Sequence, residues 1–145
     1  MKKIYVSVLL IFLLCACKKD EKITGKDPCV CYGETECTDI YKSITIELKN
    51  QNNQPIQLDQ YYTVSVATGE KFSFQHPEAD SIGRSLGKYI IFADKFIQST
   101  EKCGKDFEFT GLRNGVEIVR KTFKIGHDCC HVRIVTGNPE IIIPE

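Results

Sequence analysis

The stretch "DFEFTGLRNGVEIVRKTFKI", residues 106 to 125, decides the fold class. Phe107 and Phe109 alternate with charged residues, and from Gly115 a β-branched run continues to Ile125. Between the two runs stands Asn114-Gly115, the pair that best tolerates the two positive φ angles of a tight hairpin turn. Neither half keeps a helical period, so the stretch reads as two antiparallel strands.

The same alternation recurs on both sides. "SITIEL" (43–48) places Ile44, Ile46 and Leu48 on one face, "YYTVSV" (61–66) does so with Tyr62, Val64 and Val66, and "KFSF" (71–74) with Phe72 and Phe74. "KYIIFADKF" (88–96) is more continuously apolar, and "CHVRIV" (130–135) and "EIII" (140–143) complete the set. Turn signals separate the runs at Asn50–Asn53, Thr68-Gly69 and Thr136–Pro139, and only Pro77–Leu86 offers a short helical turn. Short strands at a spacing of about 8–12 residues predict an all-β chain, a single β-sandwich of seven or eight strands.

The N-terminus predicts an address. Met1-Lys2-Lys3 precedes a mostly apolar run from Ile4 to Leu14, the pattern of a secretory signal. The run is shorter than the ~20 residues of a spanning helix. Leu14-Cys15-Ala16-Cys17 resembles a bacterial lipobox, which implies acylation of Cys17 and removal of residues 1–16. Cys15 stands where Ser or Ala is usual, and an ordinary signal peptide cut elsewhere is the alternative. Lys18-Lys19-Asp20-Glu21 resembles the surface-export signal of Bacteroidota lipoproteins, although four charges also suit a solvated tether. The expected location is the outer membrane, lipid-anchored and exposed at the cell surface, with the periplasmic face as the alternative. More than one acyl chain gives stable attachment.

Without residues 1–16 the chain carries 17 basic residues (19 less Lys2 and Lys3) against 19 acidic ones, and no Lys/Arg block. Nucleic acid is therefore excluded as an expected partner. Residues 17–38 read as a charged, Cys-rich tether and 39–145 as the sandwich, a length sufficient for one core.

Of eight cysteines, setting aside Cys15 and Cys17 leaves Cys29, Cys31, Cys37, Cys103, Cys129 and Cys130. An even number in an exported chain reads as disulfides. Neighbours in a strand point to opposite faces, so Cys130 shares the core face with Val132 and Ile134, while Cys129 shares with His131 and Arg133 the face that meets water or a covering segment. The doublet then serves two bridges, one on the surface and one inside the sandwich. Cys129 is expected to take a tether cysteine, Cys29 or Cys31, and Cys130 to take Cys103 or Cys37. Loops of such length contribute about 3–5 kcal/mol per bridge in the chain-entropy model.

A metal reading competes for "GHDCCHV" (126–132). His127, Cys129 and His131 would share one strand face, and soft ions favour such ligands. The outer pair is about 13 Å apart on an extended strand, so all three need a bend, which Gly126 is placed to supply. Thiol redox chemistry is a third reading, although no C-x-x-C is present: Cys29-Val30-Cys31 has one residue too few.

Two other motifs carry less. Gly83-Arg84-Ser85-Leu86-Gly87 matches G-x-S-x-G and Ser85–Lys88 matches S-x-x-K, but the nucleophile elbow needs a strand before the serine and a helix after it. Here a polar loop is expected before Ser85 and a strand after it. Glu78, Asp80, Asp94 and Asp106 lack calcium-loop spacing, and His76 before Pro77 reads as a surface-turn histidine. Asp80-Ser81-Ile82 resembles the Bacteroidota O-glycosylation sequon, which makes Ser81 the candidate acceptor.

"SITIELKNQNNQPIQLDQYYTVSV" (43–66) resembles the opening hairpin of transthyretin-like, carboxypeptidase-regulatory-like domains, with Gln54 where their glycine stands. "GKYIIFADKF" (87–96) resembles their central strand, and "IGHDCCHV" (125–132) the ending of small Bacteroidota lipoproteins with Ig-like sandwiches. These resemblances imply a binding or structural domain without catalysis or cofactor, anchored to a membrane and contacting a protein or glycan. The expected contact loops are Asn50–Gln54, His76–Gly87 and Thr136–Pro139. None contains an aromatic residue, which disfavours glycan. The alternative function is a metal-handling or thiol-redox lipoprotein using His127, Cys129 and His131.

Overall fold

The computed structural model describes residues 26–33, 35–74 and 79–144. Among them eight strands form two sheets. Strands β1 (Ser43–Asn50), β4 (Lys88–Ala93) and β8 (Glu140–Ile143) form one sheet in the order β4-β1-β8. Strands β2 (Gln60–Ser65), β3 (Lys71–Phe72), β5 (Lys105–Arg113), β6 (Val116–His127) and β7 (Val132–Thr136) form the other, ordered β3-β2-β5-β6-β7. A helix α1 (Ala79–Ser85) precedes β4, and a 3-10 helix (Asp94–Ser99) follows it. No helix among the described residues is long and apolar enough to cross a membrane.

The β5–β6 hairpin turns at Asn114 and Gly115, with φ of 51° and 73° as a twist-matched two-residue turn requires. Ile46, Leu48, Phe107, Phe109, Phe123 and Ile125 point between the sheets and are essentially inaccessible. Phe72 packs edge-on against Phe92, Phe96 and Phe107, at centroid distances of 5.4, 4.9 and 5.8 Å. Such pairs add about 0.5–1.5 kcal/mol beyond their burial.

Three sequence expectations are corrected. In β2 the core face carries Tyr61, Thr63 and Ser65, and not Tyr62, Val64 and Val66. Tyr61 decides the register: its ring meets Tyr89 at 5.0 Å and Phe109 at 6.2 Å, whereas Tyr62 lies outside under the Lys71 ammonium, 3.7 Å from its centroid. The 43–66 stretch is a hairpin only at its tip, where Lys49 bridges Pro55 and the Ile56 N–H donates to the Leu48 carbonyl at 3.0 Å. Beyond Ile56 the chain crosses, and β1 and β2 lie in different sheets. "KYIIFADKF" is strand only to Ala93 and forms a sheet edge; Asp94-Lys95-Phe96 open the 3-10 helix.

The crossover is fastened by Tyr89. Its buried hydroxyl donates to the Ile56 carbonyl at 2.8 Å and accepts the Leu58 N–H at 2.9 Å. Burial pushes this phenol above its ordinary pKa. Tyr89→Phe leaves both backbone groups unpaired, so urea unfolding is expected to show a loss of about 2 kcal/mol with the slope unchanged. An unchanged midpoint would show that the hydroxyl does not hold the crossover.

Candidate functional site

The strand registers give the molecule two ends. One gathers the strap (residues 26–42), the 3-10 helix, the loop Thr100–Gly104 and the β6–β7 turn; the other gathers the Asn50–Ile56 loop, the β5–β6 hairpin tip and the end of β8.

At the first end three disulfides tie strap to domain: Cys29–Cys103, Cys31–Cys129 and Cys37–Cys130, with Cα separations of 4.9, 5.9 and 5.3 Å. Cys129 takes the tether cysteine Cys31, and Cys130 takes Cys37. All three bridges lie at the surface. The expectation of one bridge inside the sandwich is corrected, because the doublet is not in a strand. β6 ends at His127, β7 starts at Val132, and the residues between them turn.

Asp128 shapes that turn. Its carboxylate accepts the N–H groups of Cys130 at 3.0 Å and His131 at 2.7 Å, and its own N–H donates to the His131 carbonyl. Those two backbone donors hold the Asp128 carboxyl below the usual range. Cys129 adopts φ 86°, a left-handed conformation that a residue with a β-carbon takes at a cost. The expected strand alternation therefore fails, and His131 turns inward.

His131 is buried at 8% exposure: of the two expectations for it, water or a covering segment, the second holds, with Thr38 of the strap over it. Its Nδ1 lies 2.8 Å from Asp94 Oδ2 and its Nε2 lies 3.0 Å from Thr38 Oγ1. An ionised Asp94 only accepts, so Nδ1 carries the proton, and in the neutral ring Nε2 accepts the Thr38 hydroxyl. Asp94 also accepts the N–H groups of Val132 at 2.8 Å and Lys42 at 2.7 Å. One carboxylate thus joins the 3-10 helix, β7 and the strap. Thr38 and Asp94 were not singled out as site residues by the sequence. The available signal was an acid directly after an apolar strand, which favours the first turn of a helix.

Gly126 supplies no bend. A β-carbon there would come within 2.8 Å of the Glu101 and Lys102 carbonyls, so glycine is what lets the Cys103 loop lie against β6. The predicted metal set is not assembled, since His131 faces Asp94 and Cys129 is in a disulfide. The structure instead groups Cys31 Sγ, Cys129 Sγ and His127 Nδ1 within 4.8 Å of one another. His127 Nδ1 accepts the Cys129 N–H at 3.1 Å, which leaves its proton on Nε2, and burial pushes its pKa below the ordinary histidine value.

Cys17, His76 and Glu78 lie outside the described residues. Ser81 is exposed on α1. Ser85 ends α1 and donates to the Ile82 carbonyl at 2.7 Å, so a helix precedes it and β4 follows, the reverse of the elbow. At the second end Asn50, Gln54, Pro55, Ile56, Arg113 and Ile143 line a cleft of about 450 Å³, with Asn50 Oδ1 accepting the N–H groups of Asn52 and Gln54 to set the loop. Thr136–Pro139 lies along the side of the molecule, where the Pro139 carbonyl accepts the Glu47 N–H. Comparison with protein families, curated proteins and solved structures finds no match to this chain.

Burial raises the Asp94 pKa, but the hydrogen bonds from His131, Val132 and Lys42 outweigh it and hold the carboxyl below its ordinary value of 3.8. A depressed folded-state pKa contributes stability that is complete well above the unfolded value and is lost as pH falls through the folded one. Asp94→Asn is therefore expected to cost about 2 kcal/mol at pH 7 and to flatten the loss of stability below about pH 4, by urea unfolding across pH. Equal stability of the two proteins at pH 7 would remove Asp94 from this role.

Proposed function

We propose that the protein is a lipid-anchored cell-envelope binding module, a disulfide-stapled sandwich of the Ig-like or transthyretin-like kind with a non-catalytic task. The observation that carries this reading is the division of labour between its two ends. The end that holds the strap is covalently closed by three disulfides, whereas the opposite end presents the Asn50–Ile56 loop and its cleft. A chain anchored at Cys17 would transmit its tether through the staples and hold the cleft away from the bilayer. The Leu14–Cys17 motif, the Lys18–Glu21 charges and the extracytoplasmic style of cysteine use support an outer-membrane, surface-exposed location.

The cleft favours a protein partner over a glycan. Its lining pairs the exposed Arg113, whose Nε donates to the Gln57 carbonyl, and two carboxamides with Ile56, Ile118, Ile143 and two prolines. No aromatic ring is among these residues to stack on a sugar. Exposed Ser81 remains the proposed O-glycan acceptor.

Anchoring is tested by mass spectrometry of the protein from membranes of an expressing Gram-negative cell, beside a Cys17→Ala variant. The expected result is a diacylglyceryl-modified Cys17 and loss of the variant from the membrane fraction. An unmodified Cys17, or a variant that stays membrane-bound, would contradict the anchor.

A further inference from the structure

Of the three disulfides, only Cys31–Cys129 has an imidazole nitrogen facing its sulfurs among the described residues. His127 ends β6 and Cys129 lies two residues further in the turn, while Cys31 arrives from the strap, so two distant parts of the chain converge on one point. His127 Nδ1 is 4.0 Å from Cys31 Sγ. Its lone pair already faces an electropositive partner, the Cys129 N–H, so the donor atom needs no tautomer change to face a cation. The other bridges, Cys29–Cys103 and Cys37–Cys130, complete no such group.

We propose that Cys31, Cys129 and His127 form a Zn²⁺ site that opens when the Cys31–Cys129 disulfide is reduced. A dithiol supplies the two electrons and two protons: its own sulfurs join, the Cys31–Cys129 bond breaks, and two thiols form. Zn²⁺ then displaces both thiol protons to solvent and takes the two Sγ atoms and Nδ1, with water as the fourth ligand. Tetrahedral zinc with metal–sulfur and metal–nitrogen bonds of about 2.3 and 2.0 Å wants S···S near ~3.8 Å and S···N near ~3.5 Å. The sulfur–nitrogen distance of 4.0 Å is already close, and the half-exposed turn lets the sulfurs separate by side-chain rotation. The site joins the same two segments as the disulfide, so a metal clip replaces the covalent one and the strap stays attached in either redox state. This inference is independent of the lipid anchor.

The protein is reduced with a phosphine, freed of reductant under nitrogen and titrated with Co²⁺, the spectroscopic stand-in for zinc, with circular dichroism recorded in parallel. The expected result is a single Co²⁺ per chain with a sulfur-to-metal charge-transfer band that Zn²⁺ bleaches. Affinity falls at least about tenfold in His127→Ala and is retained in the Cys29→Ser/Cys103→Ser variant. Reduction opens all three bridges, so a Cys31→His variant provides a test without reductant: its two remaining disulfides stay oxidised, and Zn²⁺ is expected to bind at Cys129, His127 and the introduced imidazole. A folded reduced protein with no charge-transfer band overturns the proposal, as does binding that survives His127→Ala. If reduction unfolds the chain, failure of the Cys31→His variant to bind Zn²⁺ overturns it.

Discussion

The strap from residue 26 to 42 buries none of its described side chains, and that single constraint governs the stapled end of the molecule. Ordering a residue costs about 1–2 kcal/mol of backbone entropy, and a segment without apolar burial has little with which to offset it. Cross-links spanning 74, 98 and 93 residues act from the other side, by restricting the unfolded chain. The polar contacts then set direction: Asp94 receives the Lys42 N–H and orients His131 toward Thr38. Covalent bonds hold the strap, and one half-buried carboxylate tells it where to lie.

The sandwich itself stands on different physics. Its core of aliphatic and aromatic side chains is shared between the two sheets, with Tyr89 fastening the first of the places where the chain crosses from one sheet to the other, between β1 and β2. Chemistry that alters the staples acts on the strap first and on this core only indirectly. The cleft lies at the opposite end, lined by residues of the sandwich and none of the strap.

Much of the fold was legible because period two reports a half-buried strand directly. Ile44, Ile46 and Leu48, then Phe107 and Phe109, fall inward as their alternation requires, and Asn114-Gly115 turns the hairpin. The register of β2 was not legible, since both of its faces carry a tyrosine and only tertiary packing on Tyr89 and Phe109 selects Tyr61. The doublet misled for a related reason. Strand alternation running back from Val132 would put Cys130 inside and His131 outside, but Asp128 bends these residues into a turn. Which sulfurs would pair, and that Asp94 would meet His131 across 37 positions, depends on contacts that local pattern does not encode.

The most direct test of the account is the disulfide map of the protein from an oxidising compartment, by alkylation without reduction and mass spectrometry of its peptides. The account predicts no alkylated cysteine among the six and the linkages Cys29–Cys103, Cys31–Cys129 and Cys37–Cys130. A Cys129–Cys130 bond, a linkage among the strap cysteines alone, or free thiols at Cys37 and Cys130 would contradict it, because the strap would then lack the covalent hold on which its position depends.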